Sequence, residues 1–176
     1  MRRIGITGGI GSGKSVVSRL LRIMGYSVYD TDSEAKRLME SSLEVVQKLS
    51  ECFGRDIYHN GRLNRGLLSS RVFGKSDKIV LLNSIVHPVV RFDFYRWSES
   101  LNEEICFVES AILYESRFDE LVDEVWTVTA PEELRISRVR QRSGLTEEEI
   151  KKRMAAQLSE EEKQRRAAHI IWNDGN

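Results

Sequence analysis

Glycine and small polar residues near the N-terminus form the pattern with the clearest chemistry. Residues 8–15 read GGIGSGKS and satisfy GxxxxGK[ST], the P-loop. Glycines let successive backbone N–H groups point inward at phosphate oxygens, and a helix that follows adds positive charge from its N-terminus. The pattern therefore predicts a nucleotide-phosphate site that includes Gly9, Gly11, Ser12, Gly13, Lys14, Ser15 and Val16.

Two side chains at the end of this loop add a charge and a metal ligand. We expect Lys14 to reach the β- and γ-phosphates and the Ser15 hydroxyl to coordinate Mg²⁺. A strand predicted at 4–7 and a helix predicted at 15–24 supply the strand–loop–helix context that the motif needs. A P-loop alone does not distinguish a kinase from an ATPase or a GTPase.

Carboxylates follow two of the predicted strands. Asp30 and Asp32 come after the strand predicted at 27–29, and Glu109 closes the apolar run at 105–108. Ligands of a parallel sheet bind beyond the carboxyl ends of its strands. By position alone, Asp32 fits either a base for an acceptor hydroxyl or a helix N-cap. Glu109 fits either a Mg²⁺ ligand, direct or through water, or a solvated strand end.

A cluster of basic residues lies in the C-terminal third. Arg135, Arg138 and Arg142 recur at i, i+3 and i+7 on one predicted helix face, just before Gly144. Two helices around that glycine would form a lid, with guanidinium groups stabilising charge on a transferred phosphoryl group. The alternative is a solvated face that pairs with neighbouring glutamates. His87, before Pro88, fits either a turn between two helices or a substrate contact.

The elements that position these residues alternate between short β-rich runs and helices. This order predicts an α/β fold, namely a three-layer P-loop NTPase fold with a parallel sheet. We expect one domain over 1–176, with a core at about 1–32 and 104–176, a helical acceptor-binding region at about 33–103 and a lid at about 138–157. Within the helical region, separate helices are predicted at 65–73, 77–86 and 89–101.

Composition excludes several other classes of protein. The 176 residues are 40% hydrophobic and 31% charged, which excludes a disordered chain, and 27 basic residues balance 27 acidic ones. We expect no nucleic-acid partner, no membrane span, no secretory signal and no obligate protein partner. Cys52 and Cys106 are expected to be buried, reduced thiols, which fits a cytoplasmic protein.

Taken together, these motifs resemble the bacterial dephospho-coenzyme A kinase family. Residues 4–15 match its opening strand and P-loop, 30–32 (DTD) match its Asp-Ala-Asp, and 61–65 (GRLNR) resemble its Gly-x-Leu-Asp-Arg with Asn64 in place of aspartate. The other matches are the His-Pro pair at 87–88, the lid arginines Arg138 and Arg142, RMAAQ at 153–157 and the Asn-x-Gly at 173–175.

This resemblance implies ATP-dependent phosphorylation of the 3′-hydroxyl of dephospho-coenzyme A, with Mg²⁺ as the second cofactor. It implies catalytic roles for Asp32 as base and for Lys14, Arg138 and Arg142, and a metal held by Ser15 and Glu109. Asp32, Arg65 and His87 would contact the acceptor, and Asn173 would lie close to adenine.

The chain also departs from the family pattern. Residues 109–115 read ESAILYE where the family usually has Asp-x-Pro-Leu-Leu-Phe-Glu, and Arg135 stands where glutamine is common. Alternatives are a kinase of the same fold for a nucleoside or nucleotide, an ATP-binding switch, or a nucleic-acid-binding module that uses the arginines. No Asn-Lys-x-Asp motif is present, which argues against a GTPase.

Overall fold

The computed structural model describes residues 1–175, which form seven strands and eight α-helices. The strands are β1 (Arg2–Thr7), β2 (Ser27–Asp30), β3 (Tyr58–His59), β4 (Arg62–Leu63), β5 (Ile105–Glu109), β6 (Glu124–Thr129) and β7 (His169–Trp172). The helices are α1 (Lys14–Ile23), α2 (Thr31–Ser41), α3 (Leu43–Phe53), α4 (Arg65–Val72), α5 (Ser76–Ser100), α6 (Glu132–Ser143), α7 (Glu147–Ala155) and α8 (Glu160–Arg166).

Five strands form one parallel sheet in the order β2-β5-β1-β6-β7, which confirms the predicted fold class. β1 lies at the centre, between β5 and β6. Its last four residues, from Ile4 to Thr7, are buried, as is the Cys106–Val108 stretch of β5. Strands buried on both faces need continuous apolar runs, which is what the sequence shows here.

One face of the sheet packs against α1. Ile4, Ile6, Phe107 and Val128 form a buried cluster with Leu21 of that helix. Burial of this apolar surface, at about 25 cal/mol per Å², fixes α1 against β1 and so fixes both ends of the loop between them.

Side chains cap the N-termini of the last two helices. Thr146 and Glu149 make both halves of a capping box at the start of α7. Ser159 accepts a hydrogen bond from the Glu162 backbone N–H at 3.2 Å and so caps α8. The Glu162 carboxylate instead pairs with Arg165 and Arg166, which hold the pKa of Glu162 down at about 2.

The chain divides into two compact units. One contains Met1–Asp30 and the residues from Ser100 onward, and the other contains Thr31–Glu99. The second unit consists of α2 to α5 and the two-residue strands β3 and β4, which pair antiparallel. Its interior includes Val45, Leu49, Ile57 and Phe94, each 0% exposed.

The prediction of two helices joined at His87 and Pro88 is wrong. Residues Ser76–Ser100 form a single 25-residue helix, α5, with Pro88 inside it. A proline within a helix costs about 3 kcal/mol because it lacks a donor and crowds the preceding turn. Buried residues on both sides of Pro88, among them Ile85 and Val90, continue the same packed face and offset that cost.

The two cysteines differ in burial. Cys106 is buried in β5, as expected, whereas Cys52 is exposed, so the prediction for Cys52 is wrong. α3 buries Val45, Leu49 and Phe53, and Cys52 lies at the edge of that face. Both thiols are unpaired. Among residues 1–175, no helix is both long and apolar enough to cross a membrane.

The packing of α5 gives the first testable prediction. Phe94 is 0% exposed and contacts Trp97, whereas Phe92 on the same helix is 63% exposed. We expect Phe94→Ala to lower the free energy of unfolding by about 3–5 kcal/mol, because it removes a buried ring and leaves a cavity. Phe92→Ala, the matched control, should change it by less than about 1 kcal/mol. Urea unfolding measures both values, and equal losses would contradict the described core.

Candidate active site

The P-loop connects the end of β1 to the start of α1. The Lys14 ammonium group donates to the Gly8 carbonyl oxygen at 2.9 Å, and the Ser12 N–H donates to the Gly9 carbonyl oxygen at 3.1 Å. These bonds close the loop on itself and keep the Lys14 charge at its centre. Thr7 Oγ1 and Ser12 Oγ are buried, and the described residues give neither of them a hydrogen-bond partner. Buried hydroxyl groups without partners favour a polar ligand in this loop.

Asn173 holds the C-terminal half of the loop. Its side-chain N–H donates to the Ser12 carbonyl oxygen at 2.9 Å, and its backbone N–H donates to the Thr129 carbonyl oxygen at 2.8 Å. The Arg138 guanidinium in turn donates to the Asn173 carbonyl oxygen at 2.9 Å. The structure therefore brings Arg138, Asn173 and the P-loop together, three parts of the sequence-predicted site.

Glu109 lies at the same edge of the sheet as the loop. It ends β5, where it is in register with Ile6 of β1 and Asp30 of β2. Ile6 is two residues before the first loop glycine. A carboxylate is therefore placed beside the strand that leads into the phosphate cradle, at the carboxyl ends of three parallel strands.

The arginines of α6 differ in environment although they share a face. Arg135 is buried, Arg138 is half-buried and Arg142 is exposed near the helix C-terminus. The start of α6 lies against the protein interior, whereas its end extends toward the turn at Gly144. The i, i+3, i+7 spacing suggested that all three arginines belong to a lid. Because Arg135 is buried, it does not share an exposed face with Arg142.

The sequence did not assign Gln157 and Glu160 to the site, but they contact the loop or its supports. The charge of the buried Lys163 interacts with those of Glu160 and Arg135. The Gln157 side-chain oxygen accepts a hydrogen bond from the Ile10 N–H at 3.0 Å. Glu160 lies 3.4 Å from the Arg135 guanidinium. Lys163 is 0% exposed and donates to the Ala111 carbonyl oxygen at 3.3 Å, and burial lowers its pKa. Only Gln157 carried a signal in the sequence, as the last residue of the RMAAQ segment.

The remaining predicted site residues belong to the Thr31–Glu99 unit. Asp32 is the second residue of α2, so it lies in the first helical turn and not at the N-cap position. Arg65 begins α4 and makes an ion pair with Glu40 at 3.2 Å. His87 is half-buried in α5, where burial and the nearby Arg91 lower its pKa.

A metal site made by protein side chains alone is not present within residues 1–175, since no cluster of three His, Cys, Asp or Glu side chains occurs there. Ser15, in the first turn of α1, is exposed. A hydroxyl and a single carboxylate suit Mg²⁺, which keeps several water ligands and is completed by substrate phosphates. Ser15 and Glu109 therefore fit that ion chemically.

A central parallel strand that runs into a GxxxxGK[ST] loop and then a helix, with an arginine bonded to the loop's support, defines a P-loop kinase fold. The family model described as dephospho-CoA kinase matches residues 2–176. The chain belongs to the dephospho-CoA kinase family.

Individual relatives agree with that assignment. The chain is 44% identical over 174 residues to the dephospho-CoA kinase of Porphyromonas gingivalis, covering 98% of this chain and 86% of the relative. Among solved structures, a protein from Thermus thermophilus matches with a TM-score of 0.85 and 38% identity, covering 99% of this chain and 90% of that one. Dephospho-CoA kinase from Campylobacter jejuni matches with a TM-score of 0.74 and 25% identity, covering 100% and 90%.

The close contact between Gly13 and Asn173 gives a second prediction. Gly13 has φ +95°, and a Cβ there would overlap the Asn173 amide nitrogen. Gly25 has φ +93°, but a Cβ at that position would meet nothing within 4 Å, so Gly25 shares the backbone strain without the overlap. We expect Gly13→Ala to weaken nucleoside triphosphate binding by about 100-fold or more, because Asn173 must leave the loop.

The matched control separates strain from overlap. Gly25→Ala should lower the free energy of unfolding by about 1–2 kcal/mol and leave nucleotide affinity within about twofold. Equilibrium titration with a fluorescent nucleoside triphosphate measures affinity, and thermal unfolding measures stability. Equal loss of affinity in both variants would show that the Gly13–Asn173 contact does not matter for binding.

Proposed function

We propose that this chain transfers the γ-phosphate of ATP to the 3′-hydroxyl of dephospho-CoA, giving CoA and ADP in the last step of CoA biosynthesis. The observation that carries the proposal is the P-loop between β1 and α1, with Lys14 held inside it, in a chain that the dephospho-CoA kinase family model matches over residues 2–176. In the reaction, the bond from the γ-phosphorus to the β–γ bridging oxygen breaks. A bond to the acceptor oxygen forms, and the hydroxyl proton is accepted by a base.

In this proposal the loop binds the triphosphate through Gly9, Gly11, Ser12, Gly13 and Lys14. On binding, the Lys14 ammonium exchanges the Gly8 carbonyl oxygen, now 2.9 Å away, for phosphate oxygens. That exchange replaces a neutral acceptor by a charged one, which strengthens the hydrogen bond. We also assign Val16 to the nucleotide site: its side chain is exposed, and its N–H donates to the Gly13 carbonyl oxygen at 2.9 Å. Asn173 lies on the adenine side.

We assign Ser15 and Glu109 to Mg²⁺, Ser15 directly and Glu109 directly or through water. When bound, the ion neutralises charge on the β- and γ-phosphates. The supporting observations are the oxygen donors of both residues and the register of Glu109 beside β1.

We assign the acceptor to the Thr31–Glu99 unit, where Asp32, Arg65 and His87 lie. Asp32 is the proposed base, which orients the 3′-hydroxyl and takes its proton. Asp32 lies in the first turn of α2, at the helix end that carries partial positive charge. Arg65, at the start of α4, offers a cation to the acceptor phosphates, although it now pairs with Glu40. The lowered pKa of His87 keeps its ring neutral near pH 7, which suits a hydrogen bond to the acceptor.

We propose that residues 138–157 form the lid. Arg138 is bonded to the Asn173 carbonyl oxygen at 2.9 Å, and Arg142 is exposed one turn further along α6. Both guanidinium groups then neutralise charge that develops on the transferred phosphoryl group, as arginines do in other phosphoryl transfers. A cytoplasmic location completes the proposal, since two unpaired cysteines favour a reducing compartment.

The function is tested by measuring ADP release from Mg²⁺-ATP with and without dephospho-CoA. We expect ADP release that depends on the acceptor, together with CoA identified by its mass. Slow ADP release that is indifferent to dephospho-CoA would contradict the proposal. A panel of nucleoside and nucleotide acceptors in the same assay then tests the other kinase substrates.

Asp32 gives a third prediction. Asp32→Asn should lower kcat by about 10²–10⁴-fold with little change in ATP affinity, because the amide cannot accept the hydroxyl proton. Glu34→Gln is the matched control, since Glu34 is the other acidic residue in the first turn of α2 and its loss perturbs the helix dipole in the same way. Its kcat should stay within about threefold of the original. A near-normal kcat for Asp32→Asn would assign Asp32 to helix stabilisation alone.

A further inference from the structure

A polar cluster supports the outer side of the P-loop. It consists of Arg135 from α6, Gln157 after α7 and Glu160 at the start of α8, and we call these three residues the support cluster. A cavity of about 170 Å³ borders all three. The cavity leaves one side of these side chains without packing neighbours, so their polar contacts contribute to holding them in place.

Arg135 is buried and is fixed by two polar contacts. It is 6% exposed, its Nε donates to the Ala130 carbonyl oxygen at 3.1 Å, and its Nη1 lies 3.4 Å from Glu160 Oε1. Two of its three nitrogens, Nε and Nη1, therefore already face protein groups. This makes Arg135 a poor candidate for direct contact with phosphate, in contrast to the exposed Arg142.

Glu160 is fixed from the other side. Its Oε2 accepts a hydrogen bond from Thr129 Oγ1 at 3.0 Å, and the Gln164 side chain donates to the same hydroxyl at 3.1 Å. Thr129 is the last residue of β6, which pairs with β1. The carboxylate thus connects Arg135 to the central sheet and does not depend on solvent for its hydrogen bonds.

The support cluster touches the loop directly. A Cβ on Gly9 would lie 2.6 Å from Arg135 Nη1 and would overlap Glu160 Oε1. A Cβ on Gly11 would lie 2.5 Å from the Arg135 carbonyl oxygen. Between them, the Ile10 N–H donates to Gln157 Oε1 at 3.0 Å. The segment from Gly9 to Gly11 therefore rests on the support cluster along its whole length.

We propose that the buried Arg135–Glu160 ion pair is a positioning element for the P-loop, which holds residues 9–11 in the conformation that receives the triphosphate. The proposal rests on the proposed function, in which this loop binds ATP. A glycine-rich loop is flexible when free, so a rigid support lowers the entropy lost when nucleotide binds. Removing one partner leaves the other charge buried and unpaired, and that charge then moves away from the loop or draws water into it.

Arg135→Gln and Glu160→Gln test the ion pair. Each single variant should raise the KM for ATP by about tenfold or more, because the unpaired charge disturbs residues 9–11. The KM for dephospho-CoA should stay within about twofold, because residues 9–11 belong to the proposed nucleotide site and the acceptor is assigned to the Thr31–Glu99 unit. The double variant, which leaves no buried charge unpaired, should recover a KM for ATP within about threefold of the original.

Arg165→Gln is the matched control, and Arg135→Lys is a second variant of the buried arginine. Arg165→Gln breaks an exposed ion pair with Glu162 on the same helix, α8, and should leave both KM values unchanged. If Arg135→Gln does not accumulate as folded protein, Arg135→Lys replaces it, because it keeps the charge but loses the two-point contact. Its KM for ATP should rise by about threefold or more.

The outcomes separate this inference from the proposed function. Acceptor-dependent ADP release by the unmodified chain is measured first, and its absence counts against the proposed function alone. With that activity present, an unchanged KM for ATP in both single variants would overturn the positioning role. A double variant as impaired as the singles, or equal rises in both KM values, would overturn it as well.

Discussion

A P-loop binds phosphate through backbone N–H groups, and its glycines have no side chains with which to hold their own conformation. The loop must therefore be held from outside, and the rest of this fold supplies those contacts. Asn173 bonds to the Ser12 carbonyl oxygen, Gln157 to the Ile10 N–H and Lys14 to the Gly8 carbonyl oxygen. These residues come from the segment after β7, the segment after α7 and the start of α1, so distant parts of the sequence meet at one short loop.

The order of the sheet explains how those parts meet. β1 is central, and β6 and β7 follow beside it, so Thr129 and Asn173 emerge at the same edge as the loop. A parallel arrangement places all carboxyl ends together, which gathers residues 8–15, Glu109 and Asn173 without any long irregular segment. The candidate site therefore consists mainly of residues at the carboxyl ends of the parallel strands.

The sequence predicted the features that have a local signature. The P-loop and the apolar runs of β1 and β5 each occupy a few consecutive residues. The environment of Arg135 could not be predicted, because its partner Glu160 lies on α8. The sequence of α8 (EEEKQRR) is polar throughout, so it shows no apolar face from which to infer how that helix is oriented. The sequence analysis also missed the continuous helix through Pro88. Local preference predicts a break at a proline, whereas buried residues on both sides of Pro88 stabilise α5 as one helix.

The central claim is direct transfer of a phosphoryl group from ATP to the acceptor. The most direct measurement uses ATP labelled with ¹⁸O in the γ-phosphate, followed by mass spectrometry of the products. The proposal predicts that the label appears in a 3′-phosphate on CoA, with little in inorganic phosphate. Label that appears only in inorganic phosphate, with dephospho-CoA unchanged, would show hydrolysis instead of transfer and would contradict the proposal.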